Sequence, residues 1–225
     1  MQSYDLSRRL TAEALGTGFL VAAVVGSGIM AEKLAGGNEA IALLCNTIPT
    51  GAVLFVIIAV FMPLSGAHFN PAVSFVMMLQ GNLDRRTAAA YIGAQIVGGC
   101  LGTIAAHLMF DLATFQLSLQ ARNGPPQWFA EFVATFGLLM TILGCLRFRP
   151  DAMAAAVGLY ITAAYWFTAS TSFANPAVTI ARSLSDTFSG IAPGDVPAFL
   201  AAQFLGATVA LMLLRWLFRA PAAAA

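Results

Sequence analysis

Long apolar stretches separated by short polar connections run along the chain, and their lengths predict its organisation. Six of them have the length that a membrane-spanning helix needs, about 20 residues. They lie near residues 10–31, 40–62, 87–109, 128–147, 152–170 and 196–218. Two further apolar segments, near 69–80 and 175–185, are too short to cross a bilayer. The pattern predicts an all-α membrane protein with six transmembrane helices and two half-helices that re-enter from opposite faces.

The two halves of the sequence carry the same polar residues in the same order. Three pairs, with offsets of 118, 105 and 108 residues, mark both halves: Glu13 and Glu131, Asn70 and Asn175, and Gln95 and Gln203. They predict a repeat of about 110 residues, with repeat one near 8–110, repeat two near 127–219 and an outside loop near 111–126. Because each repeat has three spans, the second is inverted in the bilayer. We expect one membrane domain over 1–225.

Composition and charge placement agree with this topology. The chain is 59% hydrophobic and 9% charged, whereas soluble domains carry about 25% charge. The net charge of +1 suggests no nucleic-acid partner. With the N-terminus inside, eight basic residues lie on the cytoplasmic side and three outside, namely Lys33, Arg122 and Arg182. This bias predicts that both termini are cytoplasmic.

The sequence Asn-Pro-Ala-Val occurs twice, each time inside one of the short apolar segments. Asn is a favoured N-cap and Pro is favoured at the first helical position, so each copy predicts a helix start at mid-membrane. Two helix N-termini directed at one spot each carry about half a positive charge. Irregular backbone at this depth is tolerated beside a water-filled cavity. The predicted pore residues are Asn70, Pro71, Ala72, Asn175, Pro176 and Ala177.

The chain leading into each break has no helical hydrogen-bond partner, so its carbonyls are expected to line the lumen. These residues are Gly66, Ala67 and His68 in the first half and Ser172, Phe173 and Ala174 in the second. Glu13 and Glu131 need partners if they are buried. We expect them to brace the re-entrant backbone, with a proton relay as the alternative.

No motif for catalysis or cofactor binding accompanies these features. The sequence contains no Ser/His/Asp set, no His-rich metal cluster and no Gly-rich phosphate loop, so an enzyme is disfavoured and no cofactor is expected. Its two histidines, His68 and His107, give no metal-ligand pattern, and its three cysteines give no disulfide framework.

At this point the chain resembles the aquaporin and glycerol-facilitator family of membrane channels. The segment Ser65-Gly66-Ala67-His68-Phe69-Asn70-Pro71-Ala72-Val73 is similar to the first-repeat signature of that family. The resemblance covers about residues 10–218. It implies six spans with two half-helices, a pore in each protomer, a homotetramer, and a place in the bacterial inner membrane.

Several positions depart from the family pattern. Family members usually carry Arg three residues after the second Asn, where this chain has Val178, and an aromatic residue where it has Thr50. Tyr165 or Ala163 is expected at the filter position of the fifth span. Replacing Arg by Val removes a fixed charge and five donors, so we expect a wider, more apolar outer constriction. The segment from Val178 to Phe188 resembles a bacterial branch without the filter arginine, which is associated with neutral metalloid acids.

Arg182 lies four residues beyond Val178, one turn outward on the same helix face. Two interpretations are open from the sequence. Its charge lies at the outer mouth of the pore, or it lies at the interface, paired with Asp186 or extended to lipid headgroups.

These observations predict a passive channel for small uncharged solutes such as glycerol-like polyols, urea and neutral metalloid acids (arsenous acid or methylated arsenicals), and also for water. The alternatives are a water-selective aquaporin, an ion-coupled carrier and a structural membrane protein. A carrier usually needs carboxylates at mid-depth, and the runs 40–67 and 152–181 contain none.

Overall fold

The computed structural model of the protein describes residues 4–219. Over this range the chain forms long helices that span the fold and short helices that enter it only halfway. In chain order they are α1 (Leu6–Leu34), α2 (Glu39–Ser65), α3 (Pro71–Leu79), α4 (Arg85–Met109), α5 (Pro125–Phe148), α6 (Met153–Phe167), α7 (Pro176–Arg182) and α8 (Val196–Leu217). The predicted six spans and two half-helices are confirmed, and no strand occurs among the described residues. The first three and last six residues of the predicted domain lie outside this range.

Five of the helices are long and apolar enough to cross a membrane, and α6 is the shorter exception. It has 15 residues, ending at Phe167 where the sequence predicted a span to 170. At 1.5 Å per residue it extends about 22 Å, less than a hydrocarbon core of about 30 Å. It ends early because the following backbone unwinds toward α7, with Thr171 and Ser172 in the left-handed region at φ 62° and 53°.

Glycines allow the first and last long helices of each repeat to cross in backbone contact. A Cβ on Gly98 of α4 would lie 2.1 Å from the Ala14 carbonyl oxygen of α1. In the second repeat a Cβ on Gly206 of α8 would lie 2.4 Å from the Phe132 carbonyl oxygen of α5. Small residues permit such close crossings in lipid. The two crossings hold the outer helices of each repeat around its half-helix.

The half-helices begin as the sequence predicts. The Asn70 side chain caps α3 by accepting from the Ala72 N–H, and Asn175 caps α7 by accepting from the N–H groups of Ala177 and Val178. Proline occupies the first helical turn in both. The caps satisfy helix N–H groups that would otherwise be unpaired inside the membrane.

We predict that Gly98→Ala destabilises the protein and that Gly93→Ala on the same helix does not. A Cβ at residue 98 meets backbone of α1 that cannot move aside, whereas at residue 93 it meets nothing within 4 Å. Overpacking costs about 1–3 kcal/mol, and Ala in place of an open helical Gly gains up to about 1 kcal/mol. Thermal unfolding in detergent measures both. Equal melting temperatures for the two variants would contradict this account of the crossing.

Candidate functional site

One elongated cavity of about 700 Å³ passes between the two half-helices. It extends from Arg182 near the outer loop to Asp151 and Asn82 at the opposite end. One wall consists of the irregular segments that precede α3 and α7. The other is mostly apolar and includes Leu20, Val24, Leu54, Ile58, Leu138, Val157 and Ile161. A solute therefore finds hydrogen-bonding groups on one side and an apolar surface on the other.

The two Asn-Pro-Ala turns meet in the middle of this cavity. The Asn70 amide nitrogen donates to the Ala174 carbonyl at 2.7 Å, and the Asn175 amide nitrogen donates to the Phe69 carbonyl at 2.8 Å. Each amide thus ties its own half to the other, a use that the sequence analysis did not predict. An amide nitrogen has two hydrogens, so one remains for the lumen, and both asparagines line the cavity. Pro71, Ala72, Pro176 and Ala177 form the first helical turns behind this lining.

The six residues predicted to supply pore carbonyls all line the cavity: Gly66, Ala67, His68, Ser172, Phe173 and Ala174. Their backbone is irregular, and Gly66, Ala67, Ser172 and Ala174 have φ of 90°, 50°, 53° and 48°. Such left-handed conformations are costly for residues other than Gly unless the surroundings hold them. The hydrogen bonds of two buried glutamates do so here.

Glu13 braces the first re-entrant segment. Its carboxylate accepts from the Ser65 hydroxyl at 2.6 Å, from the backbone N–H groups of His68 and Phe69 at 3.0 and 2.7 Å, and from Gln95 at 2.8 Å. The side chain is fully buried and does not line the cavity. This geometry favours bracing over a proton relay.

Glu131 repeats the arrangement in the second half. It accepts from the Ser170 hydroxyl at 2.6 Å, from the N–H groups of Phe173 and Ala174 at 2.8 and 2.9 Å, and from Gln203 at 2.6 Å. Each of its oxygens therefore has two donors. The two networks match donor for donor, which reflects the repeat predicted from the spacing of these residues.

The residues proposed for the outer filter lie on three different helices. Thr50 of α2, Tyr165 of α6 and Val178 of α7 line the cavity, and the Thr50 hydroxyl lies 3.3 Å from the Tyr165 hydroxyl. Ala163, the second candidate on α6, is exposed on the helix surface and does not line the cavity. The geometry therefore favours Tyr165 for this position.

Arg182 lies at the cavity, which favours the pore-mouth interpretation over the interfacial one. It is only 2% exposed and lines the cavity together with Val178. Its guanidinium carbon lies 3.4 Å from the centre of the Phe173 ring, and its Nε donates to the Ser189 carbonyl. Asp186 instead accepts from the Leu119 N–H at 2.9 Å. The filter was expected to lack an arginine at residue 178, and Arg182 lines the same cavity from the next helical turn.

Arg122 holds the segments around α7 together, a role that the sequence did not reveal. It lies in the loop between α4 and α5, where its Nε donates to the Gly190 carbonyl at 2.7 Å. Its terminal nitrogens donate to the Ser170 and Phe188 carbonyls at 3.4 Å. Burial is the main cause that lowers the pKa of Arg122 from its ordinary value. Its only mark in the sequence is a lone charge in a polar loop, which by itself indicates no contact.

The histidines lie in different surroundings. His68 lines the cavity, and its ring Nδ1 lies 3.0 Å from the Ser74 hydroxyl, while its backbone N–H donates to Glu13. His107 lies outside the cavity, with Nε2 at 2.9 Å from the Ser185 hydroxyl. No group of three potential metal ligands occurs between residues 4 and 219.

Comparison with known proteins gives consistent matches along the chain. The family model described as Major intrinsic protein matches residues 1–149 and 146–224. Aquaglyceroporin AqpS of Rhizobium meliloti (strain 1021) is 61% identical over 219 residues, covering 97% of this chain and 94% of that protein. Probable aquaporin TIP1-2 of Oryza sativa subsp. japonica is 34% identical over 146 residues, covering 61% and 56%.

A solved structure has the same fold. The X-ray structure of the aquaglyceroporin from Plasmodium falciparum aligns with a TM-score of 0.75 at 23% identity, covering 93% of this chain and 95% of that chain. At this identity the likeness bears on the fold alone.

We predict that Glu131→Gln destabilises the protein and that Glu131→Gln/Gln203→Glu recovers part of the loss. The introduced amide nitrogen would face donors on either side, and an unsatisfied buried group costs about 1–3 kcal/mol. The double variant returns a carboxylate to the cluster. Thermal unfolding in detergent measures the effect, with Glu39→Gln on the exposed first turn of α2 as the control. A melting temperature equal to that of the control would contradict the bracing role.

Proposed function

Because the chain belongs to the major intrinsic protein family, whose members are channels, we propose that it is a passive transmembrane channel for small uncharged solutes. The observation that carries the proposal is the cavity that crosses the meeting point of Asn70 and Asn175. A site between two broken helices at mid-depth is where such folds handle their solute.

The lining accounts for the preference for neutral solutes. Carbonyls of the two re-entrant segments accept hydrogen bonds, and the free amide hydrogens of the two asparagines donate them. The apolar wall offers nothing to replace the hydration shell of an ion. The N-termini of α3 and α7 add a positive field at the centre, which repels cations and protons.

The outer filter supports a choice of solutes beyond water. Val178 is smaller than an arginine and uncharged, and the paired hydroxyls of Thr50 and Tyr165 offer polar contacts. We propose glycerol-like polyols, urea and neutral metalloid acids such as arsenous acid or methylated arsenicals as permeants, with water as a further one. The similarity to a relative described as an aquaglyceroporin supports the polyol class.

The proposed setting is a homotetramer in the bacterial inner membrane with both termini cytoplasmic. Exposed apolar side chains such as Phe19, Leu101 and Leu205 suit a lipid bilayer or neighbouring protomers. The two repeats, near 8–110 and 127–219, would form one channel domain joined by the outer loop.

An ion-coupled carrier is the less favoured alternative. Its coupling carboxylates should face the solute path, whereas Glu13 and Glu131 are saturated by donors and lie behind the lining. A structural role without transport does not account for the cavity.

We expect reconstituted vesicles to re-swell quickly in glycerol, urea and arsenous acid, because the cavity gives these solutes a path that lipid does not. Stopped-flow light scattering measures the initial shrinkage as water flux and the re-swelling as solute flux, with protein-free vesicles as the control. Flux should rise linearly with solute concentration and have a low activation energy. Fast water flux without re-swelling would identify a water-selective pore, and saturation with dependence on an ion gradient would identify a carrier.

We predict that Val178→Arg reduces solute flux more than water flux. The longer side chain would enter the lumen near Thr50 and Tyr165 and narrow it for molecules larger than water. Val178→Leu, which adds volume without charge, serves as the matched variant in the same flux assay. If both fluxes stay unchanged in Val178→Arg, Val178 does not line the constriction.

A further inference from the structure

We infer that Arg182 is a specificity-determining residue of the outer constriction. It presents a guanidinium to the solute from one helical turn beyond Val178, where it binds acceptor oxygens and excludes cations. The inference rests on the proposed channel function and adds to it a second, fixed-charge barrier outside the Asn-Pro-Ala centre.

The Arg182 side chain can reach the solute path from its place on α7. Arg182 lies four residues after Val178, which corresponds to about 6 Å along a helix. Helical side chains lean toward the N-terminus of their helix, and the N-terminus of α7 lies at the centre of the protein beside Asn70. The long arginine side chain therefore extends back toward the centre. Its guanidinium carbon indeed lies 3.4 Å from the ring centre of Phe173, which precedes the helix.

This guanidinium has donors that the protein does not use. Arginine has five N–H donors, and Nε donates to the Ser189 carbonyl. The two terminal nitrogens of Arg182 have no protein acceptor within residues 4–219, although the residue is 98% buried by the rest of the chain and lines the cavity. These two nitrogens are not among the buried side-chain atoms that lack a partner, so they are open to the cavity. Water or a solute with acceptor oxygens in the lumen would supply that partner.

The guanidinium of Arg182 has no ion-pair partner among the described residues. The ion pairs in the described part of the chain, Arg8 with Asp5 and Arg149 with Asp151, lie at the surface and involve neither outer arginine. Asp186 and Asp195 accept from the backbone N–H groups of Leu119 and Arg122. Within the described residues no carboxylate forms an ion pair with Arg182. At a narrow point of low dielectric such a charge repels cations strongly.

Aromatic and cationic side chains hold this guanidinium in place. Phe173 stacks on Arg182, and such cation–π contact is strongest when desolvated. The ring is fixed by Phe199, with centres 5.3 Å apart, and by Arg122, whose guanidinium carbon lies 5.0 Å from the ring centre. Arg122 also joins the segments before and after α7 through their carbonyls. It acts as a positioning residue for the constriction, which it does not itself line.

The test compares Arg182→Met and Arg182→Lys with Arg86→Met, an exposed arginine at the far side of the protein, in reconstituted vesicles. Two readouts separate charge from donors. Proton leak is followed with an enclosed pH dye under a potassium diffusion potential, and glycerol and urea fluxes are followed by light scattering. We expect Arg182→Met to leak by about tenfold more than Arg86→Met, since the fixed charge is gone. Arg182→Lys should keep the low proton leak of the unaltered protein, because the charge is retained. It should lose selectivity between glycerol and urea, because an ammonium lacks the forked donors of a guanidinium.

Equal leak in Arg182→Met and Arg86→Met, with normal solute flux in both, would overturn the inference. If Arg182→Met does not fold, Arg182→Gln decides by the same criterion, because its amide can still donate to the Ser189 carbonyl without the charge. Failure of the channel proposal looks different, since the unaltered protein would then show no solute flux at all.

Discussion

The fold depends on one constraint, namely that backbone brought to the middle of a membrane must be hydrogen-bonded inside the protein. Two buried carboxylates meet this constraint. Each accepts two backbone N–H groups from the segment before a half-helix, and each is held by a serine and a glutamine. The segments before the half-helices contain residues in the left-handed region, and these hydrogen bonds hold their backbone in that conformation. The carbonyls that remain face the lumen, so the bracing also creates the polar wall of the pathway.

Matching positions of the two half-helices carry different side chains. The repeat places Val73 and Val178 in matching positions three residues after the asparagines, and Met77 and Arg182 in matching positions seven residues after them. All four line the cavity. The second half-helix therefore brings a guanidinium to the cavity, where the first half-helix has a flexible thioether. The two halves of the lining thus differ in charge, although the backbone around them is nearly equivalent.

The outer loop has a structural part in this asymmetry. It crosses the end of the second repeat, where Ser118 donates to the Ser183 carbonyl at 3.0 Å and Arg122 joins the chain on either side of α7. Half-helix α7 has only seven residues. The loop adds contacts to the chain at its C-terminal end. Changes in this loop should therefore alter the filter without touching the solute.

The sequence by itself determined the six spans, the two half-helix starts and the matching glutamates, because these follow from local hydropathy, capping preference and repeat spacing. It did not determine the outer constriction. Val178 alone indicated an uncharged filter, and only the tertiary structure brings the Arg182 guanidinium onto Phe173 beside it. The same holds for Arg122 and for the choice of Tyr165 over Ala163. The direction of a long side chain and the path of a loop are set by contacts between segments that are distant in the sequence. The spacing of residues along the chain does not predict these contacts.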